Sequence, residues 1–278
     1  MDLPILLWKT VLLRPYVFLF LAAFLAIAIP SMGLRRTLTF FIGTWILAFL
    51  SEFSSTRNGF PYGFYHYTGS TRGEELFISN VPFMDSLSYS FLLFASFSMA
   101  LLTVAPLYVK KWDAQLMDTF DVRQSWKVLF LTALYMMMID VVIDPLALLG
   151  DRWFLGRIYF YDEPGYYFGI PLSNAFGWGL VGLVAAAIYQ FLERKFMSAG
   201  FRDIGIRPLR FQAFLGAGLY YGVLLFNLAI TAWIGERGLL IAGGFIFLLP
   251  TVFLVLKVLN PRARVTEEEW RTRSKMLR

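Results

Sequence analysis

Long apolar runs separated by short polar connections dominate this chain. Bilayer-length apolar stretches occur at residues 15–33, 36–53, 86–109, 126–148, 172–192, 210–233 and 238–258. A stretch of about 20 apolar residues is what an α-helix needs to cross the hydrocarbon layer. The pattern therefore predicts an all-α, polytopic integral membrane helical bundle with about seven transmembrane helices, within a range of about six to eight.

The first apolar stretch, residues 3–13, is too short to cross a bilayer; it contains Lys9 and is followed by Arg14. It predicts an interfacial helix or a partial first span. A signal-peptide core is the alternative, but no small-residue cleavage site follows it. Because no linker, repeat or low-complexity tract divides the chain, we expect one transmembrane helical domain over 1–259. Residues 260–278 are expected to form a cytoplasmic basic tail with a solvated or membrane-surface helix.

The composition agrees with a membrane protein, since 58% of the 278 residues are hydrophobic and 16% are charged. The chain has no cysteine, which excludes disulfides, thiolate metal sites, iron–sulfur clusters and cysteine nucleophiles. The net charge of +6 could suggest nucleic acid. The basic residues, however, lie mostly in short loops and in the tail, so membrane-surface charge is the better interpretation and no nucleic-acid partner is expected.

The distribution of basic residues predicts the orientation. Of the 25 Lys and Arg, 18 lie in the 34–36, 110–127 and 193–210 connections or in the C-terminal part from Lys257 onward. The positive-inside rule places that side, with the C-terminus, in the cytoplasm. The N-terminus is then outside.

Four carboxylates lie in or at the edges of the apolar segments: Glu52, Asp85, Asp140 and Asp144. A carboxylate in a bilayer is costly to desolvate and usually marks a functional site. With a helical rise of about 1.5 Å per residue, these four, together with Asn174 and Asn227, fall in one layer in the outer half of the membrane. Five different helices contribute them. Interface snorkelling is the alternative for the group, and a helix cap before Ser86 is the alternative for Asp85.

Asp140 and Asp144 are four residues apart and share a helix face. Such a pair either shares a proton or binds a cation. Pro145 follows directly. Its ring predicts a kink or a helix end beside the acids.

Two connections on the outer side are rich in aromatic residues. Residues 58–68 hold five Phe or Tyr and the only histidine, His66, while residues 153–168 hold eight Phe, Tyr or Trp. An interfacial aromatic belt would explain part of this enrichment. Because Gly and Pro predict tight turns, we expect both segments to fold over the helix ends as aromatic re-entrant caps. A lone histidine is more often structural than a ligand, and no metal centre is expected.

Acids beneath aromatic rings suit carbocation chemistry. A protonated carboxylic acid can deliver a proton to a carbon–carbon double bond, and ring faces can stabilise the resulting cation. The substrate would be an apolar polyene or isoprenoid that enters from lipid. Capture by water, capture by an internal alkene, or loss of a proton would give hydration, cyclisation or isomerisation, and the residues alone leave these three open.

A family resemblance narrows the choice. The stretches that carry it are Glu52 with GFPYGFYHYT (59–68), VPFMDSLSY (81–89), IDVVIDP (139–145) and GIPLSNAFGW (169–178). In order and spacing they resemble the carotenoid biosynthesis membrane-protein family that includes CruF-type carotenoid 1',2'-hydratases and bisanhydrobacterioruberin hydratases. The likeness is clearest over spans two to five. It implies addition of water, without cofactor or metal, across the terminal 1',2' double bond of an acyclic, lycopene-like carotenoid.

On this hypothesis Asp140 or Asp144 donates the proton, Glu52 and Asn174 position water, and Asp85 tunes the acids. The side chains expected to bind substrate are Tyr62, Tyr65, His66, Tyr67, Tyr89, Trp178 and Asn227. The expected partners are membrane lipid and the carotenoid, and a homo-oligomer or an association with other carotenoid enzymes is compatible with the pattern. We expect a bacterial or archaeal plasma membrane.

Four other interpretations are weaker. Membrane carotenoid cyclases carry acidic residues after a Gly-x-Pro segment, where this chain has Ser173 and Asn174. A magnesium-dependent prenyltransferase would need a second Asp-rich cluster on the cytosolic side. A transporter would bury acids too, but the sequence lacks inverted internal symmetry. A retinal-binding pump would need a lysine within a late span, and Lys257 lies at the cytoplasmic end.

Overall fold

A computed structural model of the chain describes residues 3–199, 204–207 and 209–273. Its helices are α1 (Leu3–Leu13), α2 (Pro15–Met32), α3 (Leu34–Asn58), α4 (Phe83–Val104), α5 (Phe120–Arg123), α6 (Trp126–Leu148), α7 (Leu172–Ser198), α8 (Gln212–Trp233), α9 (Arg237–Leu259) and α10 (Glu267–Arg273). Short 3-10 helices lie at Gly150–Arg152 and Pro261–Ala263. Within these ranges the 7 helices α2, α3, α4, α6, α7, α8 and α9 are long and apolar enough to cross a membrane. The predicted polytopic bundle is confirmed.

Short strands accompany the helices, and the all-α prediction did not include them. They are β1 (Tyr65–Tyr67), β2 (Phe77–Ile78), β3 (Val81–Pro82), β4 (Leu107–Lys110), β5 (Asp113–Leu116) and β6 (Tyr159–Tyr161). They pair as three antiparallel sheets, β1 with β6, β2 with β3, and β4 with β5. Strands of two to four residues lie at or below the lower limit of the four to eight residues over which alternation can be recognised.

One local prediction near the acids needs correction. Helix α4 begins at Phe83 with Pro82 as its N-cap, so Asp85 lies inside the first turn and the helix-cap interpretation is wrong. Helix α6 extends from Trp126 through Pro145 to Leu148, which matches the predicted span 126–148 and excludes a helix end at Pro145. Asp85, Asp140 and Asp144 therefore lie on regular helix, which fixes the direction of their side chains.

Helix α4 is the central element of the bundle. It packs against α2, α3, α6, α7, α8 and α9, and it is mostly buried, whereas each of the other spanning helices is less than half buried. Its buried face includes the small residues Ser86, Ser90, Ala95, Ser96 and Ala100. Small residues allow neighbouring helices to approach closely within a membrane, so α4 can be surrounded on all sides.

The C-terminal segment docks on the β4–β5 hairpin. The backbone N–H of Val265 donates to the carbonyl of Leu107 at 2.8 Å. The ring of Trp270 stacks on Tyr108, with centroids 4.8 Å apart and planes 5° from parallel. The predicted tail helix is therefore present as α10 and is held against the bundle, while residues 274–278 of the predicted tail lie outside the described residues.

A buried ion pair closes the opposite end of the bundle, which carries the acids and is called the acid end below. Arg14, between α1 and α2, donates from Nε and Nη2 to the two carboxyl oxygens of Glu75 at 3.2 and 3.0 Å, and both side chains are 0% exposed. Burial lowers the pKa of Arg14, but Glu75 outweighs it and the net pKa is raised. Because Arg14 also donates to the Leu155 carbonyl at 2.5 Å, it ties two loops of the acid end together.

Candidate active site

The two aromatic connections meet as the β1–β6 sheet. Its register pairs Tyr65 with Tyr161, His66 with Phe160, and Tyr67 with Tyr159. Successive residues of a strand face opposite sides, so the four tyrosines share one face. Their ring centroids lie 5.3 to 5.9 Å apart. We call this surface of Tyr65, Tyr67, Tyr159 and Tyr161 the tyrosine face.

The tyrosine face is turned toward the acids. The Tyr67 hydroxyl donates to Oδ2 of Asp85 at 2.6 Å, and the Tyr159 hydroxyl donates to the backbone carbonyl of Asp144 at 3.0 Å. Burial raises the pKa of Tyr65, Tyr67 and Tyr159 well above the ordinary tyrosine value, so these hydroxyls stay neutral. The expected aromatic cap is present, but as a paired sheet.

Asn174 joins the two aspartates of α6. Its Nδ2 donates to Oδ2 of Asp140 at 3.0 Å and to Oδ2 of Asp144 at 2.6 Å. Asp140 and Asn174 are 1% and 2% exposed, and Asp144 is half-buried. Because Asn174 lies in the first turn of α7, this arrangement fixes the start of α7 against the acid-bearing turn of α6.

Glu52 completes the carboxyl cluster from α3. It is buried and interacts electrostatically with Asp85 and Asp144. The structure thus brings together all four carboxylates that the sequence analysis selected, from three helices. Asn174 joins them from a fourth.

Three other predicted residues pack beside the cluster. The rings of Tyr89 and Trp178 stack with centroids 4.7 Å apart, and Tyr62 lies 6.2 Å from Trp178. The Tyr89 hydroxyl donates to the Trp178 carbonyl at 3.0 Å. A β-carbon on Gly177 would lie 2.6 Å from the Pro61 carbonyl oxygen and 2.7 Å from the Tyr62 ring. Glycine at this position therefore allows the cap loop to lie directly on α7.

Two predicted residues do not join the cluster. His66 lies on the outward face of β1 and pairs with Asp162 at 3.1 Å, with its side chain 39% exposed. Asn227 donates to the Val223 carbonyl of its own helix at 2.9 Å. Strand alternation turns His66 away, and a local hydrogen bond occupies the amide of Asn227.

Two tyrosines and a serine of the site were not selected from the sequence. Tyr159 and Tyr161 were part of an aromatic segment but were not selected individually; their alternation in Tyr-Phe-Tyr, matching Tyr-His-Tyr at 65–67, was the available signal. Ser86, which is 0% exposed, was missed because a serine in an apolar helix carries no pattern of its own.

Three polar atoms of the site lack partners. Among the described residues, Glu52 Oε2, Ser86 Oγ and Asp140 Oδ1 are buried and form no hydrogen bond. Most buried polar atoms in proteins are paired, so a cluster of exceptions calls for a functional explanation. Among the residues that the structure describes, no group of three or more His, Cys, Asp or Glu side chains is arranged to hold a metal ion.

A cavity of about 670 Å³ lies at the other end of the bundle. Arg36, Phe97, Asp118 and Trp270 are among its lining residues. On α4 its lining begins at Phe94, which is about 13 Å along the helix from Asp85. The cavity is therefore separate from the carboxyl cluster.

Among the described residues, seven long apolar helices pack around a buried acidic centre, the arrangement of an integral membrane protein with a site inside its bundle. The chain matches the model of a family described as carotenoid biosynthesis protein over residues 13–250, and it belongs to that family. It is 30% identical over 197 residues to the bisanhydrobacterioruberin hydratase of Haloarcula japonica, covering 69% of this chain and 57% of that protein. The match thus spans little more than half of the relative. No solved structure matches the chain.

These comparisons confirm the family resemblance. The matched residues 13–250 reach from the first spanning helix into the last, which is a longer region than the four sequence stretches indicated. The protein is a carotenoid biosynthesis protein that is distantly related to a carotenoid hydratase.

Proposed function

We propose that this protein adds water across the terminal 1',2' double bond of an acyclic, lycopene-like carotenoid, without cofactor or metal. The observation that supports this most directly is the Asn174 amide between the buried carboxyl of Asp140 and the half-buried carboxyl of Asp144. Two adjacent carboxyls that are largely shielded from water repel each other when both ionise, so such a pair retains a proton. This is the group that acid catalysis on an alkene requires.

The hydrogen bonds indicate which oxygen carries that proton. Asn174 donates to Oδ2 of both aspartates, so these oxygens act as acceptors. A proton on Asp140 then occupies Oδ1, which is buried and has no partner among the described residues. We therefore assign the proton donor to Asp140 Oδ1, with Asp144 as its partner and Asn174 as the residue that orients both.

The reaction balances with these groups. Asp140 gives its proton to C2', leaving a tertiary cation at C1', and the rings of the tyrosine face stabilise that cation. Water adds to C1' and passes its extra proton to Glu52. Return of this proton from Glu52 to the aspartate pair resets the site, so each cycle consumes one water and no net proton.

The proposal also includes the orientation of the protein in the membrane and the route of its substrate. The apolar substrate enters laterally from lipid, with the acid end in the outer half of a bacterial or archaeal plasma membrane and the C-terminus in the cytoplasm. This orientation is supported by the 18 basic residues in the connections and C-terminal part on the opposite side.

Expression of the full chain in a lycopene-producing bacterium, followed by pigment mass analysis, tests the function. We expect a gain of one water per modified end, and no gain with Asp140→Asn at equal protein level. Unchanged mass with shifted absorption would show cyclisation or isomerisation instead. Prenylated products whose formation requires magnesium would show a prenyltransferase. Unchanged pigment would contradict hydration, cyclisation, isomerisation and prenyl transfer alike.

A further inference from the structure

Among the described residues, Ser86 on α4 and Glu52 on α3 each carry a buried polar atom without a hydrogen-bond partner, Ser86 Oγ and Glu52 Oε2. The Ser86 hydroxyl lies near enough to the Glu52 carboxyl to influence its protonation. The two groups are thus near each other, and each has unused hydrogen-bonding capacity.

Ser86 differs from several other hydroxyls of the spanning helices. The half-buried Ser98 and Thr103 and the buried Thr132 each donate to the carbonyl four residues earlier, at 2.7 to 2.8 Å. This local bond is the usual way to satisfy a hydroxyl in an apolar helix. Ser86 makes no such bond, so its hydroxyl remains available to a ligand.

Its position on α4 directs Ser86 into the site. Asp85, the preceding residue, binds Tyr67 of the cap. Tyr89, three residues later on the same helix face, stacks on Trp178. Ser86 therefore lies between the acid that holds the tyrosine face and the ring pair beside it.

We propose that Ser86 Oγ and Glu52 Oε2 together bind the water that attacks the cation. This inference rests on the proposed function. A hydroxyl can donate to the water oxygen, and a carboxylate can accept one water proton. A buried water needs about two to four polar partners, and these two atoms supply the minimum while leaving one lone pair of the water free to attack C1'.

The assignment separates two steps of the reaction. The aspartate pair forms the cation, whereas Ser86 and Glu52 capture it with water. A cation that is not captured loses a proton and returns to an alkene. In D₂O this return leaves deuterium in a carotenoid that has not gained water, so the ratio of deuterated, unhydrated carotenoid to hydrated product reports the capture step alone.

The test measures this ratio in D₂O with the full-length protein in liposomes that contain the acyclic carotenoid. We expect Ser86→Ala to raise the ratio about tenfold, as expected from the loss of one hydrogen bond, while total turnover of the alkene falls less. Ser86→Thr, which keeps the hydroxyl, should restore the ratio. If Ser86→Ala does not fold, Ser86→Cys, which keeps the volume and weakens the donor, gives the same readout.

Ser96→Ala is the matched control. Ser96 is also 0% exposed and without a hydrogen-bond partner among the described residues, and it lies on the same helix about 15 Å away. The ratio of deuterated, unhydrated carotenoid to hydrated product should be the same for Ser96→Ala as for the wild type. An unchanged ratio for Ser86→Ala, or an equal loss of hydration and deuterium incorporation, would overturn the inference. A wild-type protein that incorporates deuterium but never hydrates would overturn the proposed function itself.

Discussion

The hydroxyl of Tyr67 donates a 2.6 Å hydrogen bond to Oδ2 of Asp85 and so connects the cap to the central helix. Hydrogen bonds to a carboxylate are stronger than those between neutral groups. Because α4 packs against six other spanning helices, this bond sets the position of the tyrosine face relative to the whole bundle.

Tyr67→Phe keeps the ring and removes only the hydroxyl. We expect it to lower product formation by about 10- to 100-fold, as a hydrogen bond to a charged group contributes about 1.5–3 kcal/mol. The neighbouring change His66→Ala should have little effect, since His66 faces outward. Pigment mass analysis at matched expression compares the two, and a larger loss for His66→Ala would show that the faces of β1 are assigned wrongly.

Asp140→Asn keeps the size of the side chain and removes the acid. Product formation should fall by about 10²- to 10⁴-fold, the usual contribution of a general acid. Asp151→Asn, at an exposed position of the same end, should retain full activity. Unchanged turnover of Asp140→Asn in folded, detergent-purified protein would remove Asp140 from the mechanism.

Gly177→Ala tests the close approach of the cap loop to α7. Its β-carbon would lie 2.6 Å from the Pro61 carbonyl oxygen, so we expect a loss of about 1–3 kcal/mol in stability, typical of overpacking. Gly179→Ala, on the same helix, meets nothing nearer than 3.7 Å and should be tolerated. Thermal unfolding of both variants in detergent makes the comparison, and equal Tm values would argue against the loop position.

Arg14→Met leaves the buried Glu75 carboxylate without its partner. Breaking a buried ion pair costs about 3–5 kcal/mol, so a large fall in Tm is expected. Arg152→Met, which removes an exposed pair with Glu236, should cost about 0–1 kcal/mol. Similar Tm losses for the two variants would contradict the burial of Arg14.

The raised pKa of Asp118 predicts that the stability of the protein depends on pH. Burial, its largest influence, raises the pKa of Asp118 from 3.8 to about 6. The folded state therefore binds the proton more tightly than the unfolded state, and the stability gained below pH 3.8 is lost as the pH rises through about 6. Asp118→Asn removes this contribution.

The measurement is the change in Tm between pH 7.5 and pH 4.5. We expect wild type to gain more stability on acidification than Asp118→Asn does. Asp121→Asn, at an exposed position three residues further on, serves as the control and should follow the wild type. A variant Asp118→Asn with the wild-type pH profile would exclude Asp118 as the source.

Helix positions were predictable because bilayer-length apolar runs leave few alternatives. Depth along each helix also predicted that Glu52, Asp140 and Asn174 would meet, since a regular rise converts sequence distance into height. The sequence does not specify which oxygen of a carboxyl is bonded. The role of Asn174 in positioning water stays a prediction, while both hydrogen bonds from its Nδ2 are directed to aspartates.

The position of the aromatic cap could be predicted from the sequence, but the register in which its two strands pair could not. Tyr65 pairs with Tyr161 across almost a hundred residues, and no local pattern encodes a pairing of that range. The same register decides that His66 faces outward, so its selection for the site could be corrected only with coordinates. Ser86 needed coordinates too, because its distinction is a hydroxyl without a hydrogen-bond partner that lies beside the Glu52 carboxyl.

The β1–β6 pairing also constrains the order of biogenesis. Strand β1 precedes α4 and strand β6 follows α6, so a nascent chain inserts two further spanning helices before the cover can close. The carboxyl cluster and its aromatic cover are thus complete only after residue 161 and the start of α7 have been synthesised.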